Sequence, residues 1–471
     1  MAGYFMIGET KVRPGGYFNI QKTGDEPTAG AINGITGVLF KADWGPLNEA
    51  VELSVDDGYE DVFGNGGTTD AIGLAFEGGA TTVIACRVGN GGTQGNVKLK
   101  LDGENGADAV SITSKYVGAK ALTVSIKDKL SDETKRECII YAGTKEFEKV
   151  EFEKGEDEAG ALVKAFAGSK KFKVAKVGVA SGELAAVTQT AMTVGTDPTT
   201  TVQDYSNGFA SIEPYYINTM CVDTEDTAVH GLLDAFLDRI FNVGQLAQGV
   251  VAEKTSVELE TRMARAASYN SEKMVYVLNP AVTSTTYGDI EGYQVAAKIA
   301  GMIAGCAANK SLTHTVLDKV TQLNERLTNT QMTKAETMGC LVLSLNKSKQ
   351  VWIDSAINTL VTPDDDHDDG WKKIRRVKTR YEMITRMNDL ADSLVGKVDN
   401  DTNGRSTIIS QLQGIGDDMK EEGKLVACKV SESTVYKPDG DSAWFLIDCI
   451  DKDSAEHIYL MYMFRFSTQE E

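Results

Sequence analysis

The sequence is poor in the residues by which chemistry usually announces itself. It has four histidines, His230, His314, His367 and His457, far apart along the chain. No GxSxG elbow and no Walker-type phosphate loop occurs, so no constellation for an enzyme stands out. The cysteines (Cys86, Cys138, Cys221, Cys306, Cys340, Cys428 and Cys449) are isolated, form no CxxC, and mostly stand in apolar runs. That pattern predicts reduced core thiols rather than disulfides or a zinc site. Positive charge is in deficit: 48 Lys and Arg face 68 Asp and Glu, a net charge of −20. General binding to nucleic acid or to anionic membranes is disfavoured. Long apolar runs are absent too. The best stretch, Val295–Ala308, is about 14 residues, contains Lys298, and is too short and too rich in Ala and Gly to span a bilayer. The opening Met-Ala-Gly-Tyr-Phe lacks a basic region followed by an apolar core, so a cytosol-like compartment is expected.

What is present is ordinary globular material, 42% apolar and 25% charged. A chain of 471 residues is too long for a single core and predicts about two to four domains. Residues 1–34 read as an arm around a short extended piece, Val12–Ile20, broken by Pro14. Residues 35–96 alternate strand and helix patterns, and the alternation resumes over 203–345. Alternating elements of this kind predict a mainly parallel sheet with helices on its faces. Between them, 97–202 carries short strand-like runs at close spacing, which predicts a β-rich inserted outer domain. Residues 346–455 combine strands with two long helices, Trp371–Val395 and Ser406–Glu422, an α+β unit, and 456–471 form a final strand. The expected class is therefore multidomain α/β: a mixed α/β core domain, a β-rich insertion and a C-terminal α+β domain.

Three loops were tested for ligands. Asp399-Asn-Asp401-Thr-Asn403-Gly404 matches the start of an EF-hand calcium loop, but Ser410 stands where the bidentate Glu belongs. A turn followed by a helix cap is the better reading. The run Asp364–Asp369, which holds His367, reads as a solvated loop, with an ion not excluded. The Gly89–Asn96 loop follows a strand, where a dinucleotide loop would sit, but Gln94 occupies the third glycine position. No metal site and no cofactor is expected.

Two features stand out from this background. Between Trp371 and Arg386, basic residues gather on one helix of an acidic protein: Lys372, Lys373, Arg375, Arg376, Lys378, Arg380 and Arg386. Ile374, Val377, Tyr381 and Ile384 form its apolar stripe, and Lys372, Arg375, Thr379, Glu382 and Arg386 fall opposite. The basic face is either solvated or a docking surface for an acidic partner. The second feature is the end of the chain. Ile458, Leu460, Tyr462, Phe464 and Phe466 alternate at the strand period, and the opposite face, with Tyr459, Met461 and Met463, is apolar as well. A strand apolar on both faces wants cover on both sides, from its own sheet or a neighbour's.

In order and rough spacing, several segments resemble the contractile tail sheath family of myophages and R-type bacteriocins. Arg13-Pro14-Gly15-Gly16-Tyr17 is similar to the family's RPGVY opening, with Gly16 for Val. Ala42-Asp43-Trp44-Gly45-Pro46 resembles ADWGP, and Gly78-Gly79-Ala80 followed by Arg87-Val88 resembles its GGA…R strand. Ile357-Asn358-Thr359-Leu360, Trp371–Arg375, Val395–Asn400 and Gly404-Arg405 continue the series. Residues 97–202 match nothing in it.

The resemblance implies a structural subunit, not an enzyme. Such subunits form a sheath of stacked hexameric rings around an inner tube and contract to drive the tube through a cell envelope. Swapped terminal strands would link them, involving Val12, Tyr17, Phe18 and Ile20 of the arm, Trp444 and Leu446, and Ile458, Leu460, Tyr462 and Phe464. Lys372, Arg375, Arg376, Thr379 and Arg386 would face the tube. Partners would be further copies, the tube protein, and baseplate and terminator proteins, without nucleic acid or membrane insertion. The place would be a virion tail or tail-like particle, assembled in the bacterial cytoplasm and released on lysis. The alternative is a cytosolic α/β enzyme or ligand-binding protein using the Gly89–Asn96 loop.

Overall fold

Short runs of Val, Ile, Leu and Cys, apolar on both faces, build the centre of the molecule. The computed structural model describes residues 34–103, 106–179, 181–364 and 367–464. The expectations on Val12, Tyr17, Phe18, Ile20 and Phe466 lie outside the described residues.

The chain begins with β1 (Ile35–Phe40), β2 (Ala50–Ser54), α1 (Tyr59–Phe63), α2 (Asp70–Gly78) and β3 (Thr82–Arg87). It then forms β4 (Gln94–Lys100), β5 (Asp108–Val117), β6 (Thr123–Asp128), β7 (Lys135–Ala142), β8 (Lys145–Glu153), α3 (Glu158–Ala165), β9 (Phe172–Lys176) and β10 (Val187–Ala191). Next come α4 (Val202–Ile212), β11 (Thr219–Val222), α5 (Thr227–Asn242), β12 (Gln248–Ala252), α6 (Leu259–Tyr269) and β13 (Met274–Val277). After β14 (Ala281–Ser284) and β15 (Gly288–Glu291) follow α7 (Tyr293–Gly305), β16 (Val320–Leu323), α8 (Asn329–Thr337), β17 (Cys340–Leu345) and β18 (Val351–Ser355). A 3-10 turn, Asp369–Lys372, leads into α9 (Ile374–Leu394), α10 (Thr402–Glu421), β19 (Leu425–Glu432) and β20 (Phe445–Asp451).

The central sheet has eight strands in the order β18-β17-β13-β12-β11-β1-β3-β2. From β17 through β3 neighbours run parallel; β2 and β18 close the two edges antiparallel. Parallel strands need cover on both faces, which is why they read as continuous apolar runs. On one face α2 and α7 supply Leu74, Val295, Ile299 and Ile303. On the other, α4, α5 and α6 supply Phe209, Leu233, Phe236 and Met263. The small residues of α7 have a packing reason. A Cβ on Gly301 would lie 1.9 Å from the Ala75 carbonyl of α2, so the two backbones meet at a distance only glycine permits. The mixed α/β multidomain class is what is found.

Residues between β3 and α4 have sheets of their own, β10-β6-β7-β8 and β4-β5-β9. Their apolar residues form a separate core around Val110, Ile112, Ile126, Ile140 and Phe172. Two of these strands, β5 and β10, carry too many Ser, Thr and Gln to show in the sequence pattern. The strand expected over Val351–Asn358 was grouped with the C-terminal unit; as β18 it instead edges the large sheet. The tight loop after β17, closed by Asn346 N donating to Gln350 O at 3.0 Å, folds it back at once.

The expected final strand does not form within the chain. Residues 452–464 lie outside regular structure, and Ile458, Leu460, Tyr462 and Phe464 are 71%, 69%, 72% and 94% exposed. Among the described residues no strand pairs with them.

Candidate assembly interface

The C-terminal part is built on α9. Val377 and Tyr381 pack with Leu246, Phe241, Trp371 and Ile384, so the expected apolar stripe fastens the first half of the helix to the α/β body. Further on, Met387 joins Leu412 of α10 and Val430 of β19. One helix thus spans both units.

The basic residues of α9 do not make a free face. Arg376 is bidentate to Asp451, at 2.8 and 2.6 Å. Arg380 reaches Asp451 and Asp368, both at 3.0 Å. Arg386 pairs with Glu422 at 2.8 Å and Glu382 at 2.5 Å. Lys373 meets Asp453 at 2.8 Å and Glu456 at 3.3 Å. Lys372 donates to the Glu336 carbonyl at 2.8 Å, at the C-terminal end of α8. Lys378 donates to the carbonyls of Ile303 and Cys306, where α7 ends and cations are favoured. Thr379, 1% exposed, donates to Ala308 O at 2.9 Å, and Arg375 is 8% exposed. The free basic face expected on Lys372, Arg375, Arg376, Thr379 and Arg386, the surface meant to meet the tube, is not found in the single chain: Lys372, Arg376, Thr379 and Arg386 have partners within it, and Arg375 is buried with its Nε unpartnered. Apart from Glu382 on the same helix and Asp368 just before it, the acidic partners come from remote segments, so helical periodicity alone made the face look exposed. Burial pushes the Asp451 carboxyl up, but hydrogen bonds from Arg376 and Arg380 outweigh it and hold it below the usual range.

The glycine loop is also changed by folding. Asn90, Thr93 and Asn96 donate their amides to Thr199, Thr196 and Thr193 carbonyls at 2.7, 3.1 and 3.0 Å. These three amides are occupied by a two-stranded stalk, and Gly95 N donates to Ser114 Oγ at 3.0 Å, which leaves fewer of the loop's amides for the anion that the alternative reading needs. Asp401 caps α10, accepting from Gly404 N at 2.7 Å.

β19 and β20 form a two-stranded sheet packed on α10. Trp444 lies against Tyr436 just before β20, while Leu446, Ile447 and Ile450 are 53%, 37% and 57% exposed. Isolated hairpins are marginal in water, and this one carries apolar side chains in the open. The structure does not pair Ile458, Leu460, Tyr462 or Phe464 with Trp444 or Leu446 of the same chain.

Residues 199–359 match the family model described as the phage tail sheath protein central domain. Over this third of the chain the sequence carries the central domain of the phage tail sheath family. The matched stretch runs from the N-terminus of α4 through β18 and so takes in most of the central sheet. The chain is 24% identical over 373 residues to the uncharacterized protein YqbK of Bacillus subtilis, covering 76% of this chain and 75% of that one. Among solved structures, the sheath tail protein of Desulfitobacterium hafniense superposes with a TM-score of 0.68 at 18% identity, over 92% of this chain and 100% of that one. The sheath tail protein of Listeria innocua gives 0.68 at 21% identity, over 91% and 96%. The helical sheath of the anti-feeding prophage in its contracted state gives 0.52 at 12% identity, over 97% and 99%. These likenesses are of fold. The central-domain match points to a structural sheath role.

The sequence singled out the tail and its neighbouring strand, and folding leaves both uncovered. It missed Gln413, Asp451 and Glu456, single polar residues whose partners lie far away in the chain.

Proposed function

We propose that this sheath protein polymerises as stacked hexameric rings around an inner tail tube and contracts to drive that tube through a target cell envelope. Neighbouring copies are linked by swapped strands, the N-terminal arm over 12–20 and the C-terminal strand over 458–466, received by the sheet of β19 and β20. The subunit is organised as an arm over 1–34, a core domain over 35–96 and 203–345 whose sheet also takes in β18, an outer domain over 97–202, an inner domain over the remainder of 346–455 and a second arm over 456–471. Its partners are further copies of itself, the tube, and baseplate and terminator proteins at the two ends. Assembly takes place in the bacterial cytoplasm, before release on lysis.

The observation carrying this reading is the exposed Ile458–Phe464, in a chain whose last regular element is a hairpin too small to be stable alone. Main-chain pairing would supply affinity, and alternating side chains would set register. Deleting residues 456–471 is expected to leave folded, soluble protein that forms no tubes by negative-stain microscopy. Normal tubes from the deleted chain would overturn the proposal.

A further inference from the structure

The hairpin of β19 and β20 brings together two cysteines that the sequence keeps far apart. The strands pair with Cys428 opposite Cys449, Lys429 opposite Asp448 and Ser431 opposite Leu446. Among the described residues, no other two cysteines face each other across a strand pair. In an antiparallel ladder, pairs that exchange hydrogen bonds alternate with pairs that do not. Ser433 N donates to Trp444 O at 2.9 Å, which makes that pair a bonded one. Counting back by twos, Ser431–Leu446 and Lys429–Asp448 are bonded, and Cys428–Cys449 is not. The outward backbone groups agree. Cys428 O accepts from Gln413 Nε2 of α10 at 3.0 Å, and Val430 N donates to Gln413 Oε1 at 2.9 Å.

This register suits sulfur chemistry. At a non-bonded pair the Cα atoms stand about 4.5 Å apart and the side chains lie closer than at a bonded one. A disulfide takes Cα atoms about 4.4–6.8 Å apart with their Cβ atoms close together. Burial and a hydrogen bond to Cys428 push the Cys449 thiol up, so the pair rests as thiols until an oxidant reaches it. α10 fixes the arrangement from beneath. The Gln413 amide clamps the backbone of β19, and a Cβ on Gly416 would lie 2.5 Å from Cys428 Sγ, so glycine leaves the sulfur its seat. Cys428 and Cys449 are half-buried and open to a small molecule, whereas Cys86, Cys138, Cys221 and Cys340 are buried.

We infer that Cys428 and Cys449 are a redox site: in an oxidising medium they close into a cross-strand disulfide that staples the hairpin. The oxidant is a small-molecule disulfide. One cysteine, as thiolate, attacks a sulfur of that molecule, forming a mixed disulfide and expelling one small thiolate. The second cysteine attacks the protein sulfur of the mixed disulfide, the protein S–S bond forms, and the second small thiolate leaves. The protons given up by the two cysteines end on the two expelled thiolates. The protein pair loses two electrons and the small disulfide gains them. A reducing cytosol keeps the pair open. A two-stranded hairpin is marginal alone, and a bond across it removes the separated arrangements from its opened ensemble. The inference stands apart from the strand exchange proposed above, and its failure would leave that reading untouched.

The test uses full-length, unassembled protein incubated with oxidised glutathione, alkylated, and digested without reductant for mass spectrometry. A linked peptide pair carrying Cys428 and Cys449, two hydrogens lighter than the thiol forms and joined within one chain, is expected to dominate. Hydrogen exchange over Leu425–Glu432 and Phe445–Asp451 is expected to slow roughly tenfold or more on oxidation and to recover with reductant. Cys449→Ser is expected to trap Cys428 as the mixed disulfide and to show no slowing. Persistent glutathione adducts on the parent, links between chains, or unreacted thiols at both positions would overturn the inference. A Cys428–Cys449 link that leaves exchange unchanged would overturn the staple. If Cys449→Ser does not fold, the comparison of oxidised with reduced parent decides alone.

Discussion

Single buried charges show how locally ordinary residues acquire specific roles here. Arg87 is fully buried and donates to the carbonyls of Ala42, Gly45 and Val117 at 3.0, 2.9 and 2.9 Å. It thereby ties the segment after β1 to a strand of the outer unit. Asp389 on α9 is less well served. Its Oδ1 is buried without a partner, and burial together with neighbouring Asp392 pushes its carboxyl up to about 7. A carboxyl raised in the folded state holds its proton where the unfolded chain has lost it. Stability from this group is therefore present at low pH and lost as pH rises from about 4 to about 7. Asp389→Asn is expected to remove that loss. Measured by thermal unfolding of unassembled protein, the variant should gain on the parent between pH 5 and pH 8. Parallel pH profiles would contradict the assignment.

At the level of elements, the outer unit hangs on one internal ion pair. Glu158, at the start of α3, is fully buried; its Oε2 accepts from Arg136 Nη1 of β7 at 2.8 Å and from Leu184 N at 2.7 Å. Glu158→Ala leaves the Arg136 charge buried, with only Asp128 on the surface beside it at 3.2 Å. Removing one member of a buried pair costs about 3–5 kcal/mol, and Asp128 should keep the cost near the lower figure. Trp44 is the natural reporter, since it packs against Tyr116, Phe147 and Phe172 in that unit's core. Urea unfolding followed by its fluorescence should shift accordingly, while the central sheet, with cores of its own, unfolds as before. A loss below about 1 kcal/mol would show that the pair is not structural. The same scale explains α9. Its apolar stripe was legible because 3.6-residue periodicity is a local property. The fate of its basic side chains was not, because Asp451, Glu422 and Glu456 reach them from other elements.

For the molecule as a whole, the insertion begins and ends at one place. The stalk pairs Asn90 with Thr199, Thr93 with Thr196 and Asn96 with Thr193. Inserted units with adjoining ends are tolerant of removal. Excision should stop at Met192, because Thr201 forms a capping box with Asp204 that starts α4. Trp44, 2% exposed beneath the outer unit, would be uncovered. Replacing 97–192 by a short Gly-Ser linker, together with Trp44→Ser, is expected to give folded protein that still assembles into tubes. Folded protein that never assembles would make the outer unit part of the lattice.

The sequence by itself determined the elements whose signal is local. Buried parallel strands show as unbroken apolar runs in β1, β3 and β12, helices as amphipathic stripes in α5 and α9, and the tail as an apolar alternation with no partner in sight. The ordered motifs from Ala42 to Arg405 also carried the family resemblance. Only the tertiary structure decided which charges are free, which loops are spent and which backbone groups of the hairpin are taken. Arg376 became an anchor when Asp451 arrived from 75 residues away, the amides of Asn90, Thr93 and Asn96 were taken by a returning strand, and the Gln413 amide took backbone groups of β19. Each outcome depends on where a remote polar partner comes to rest, and a hydrogen bond between distant residues leaves no period in the sequence.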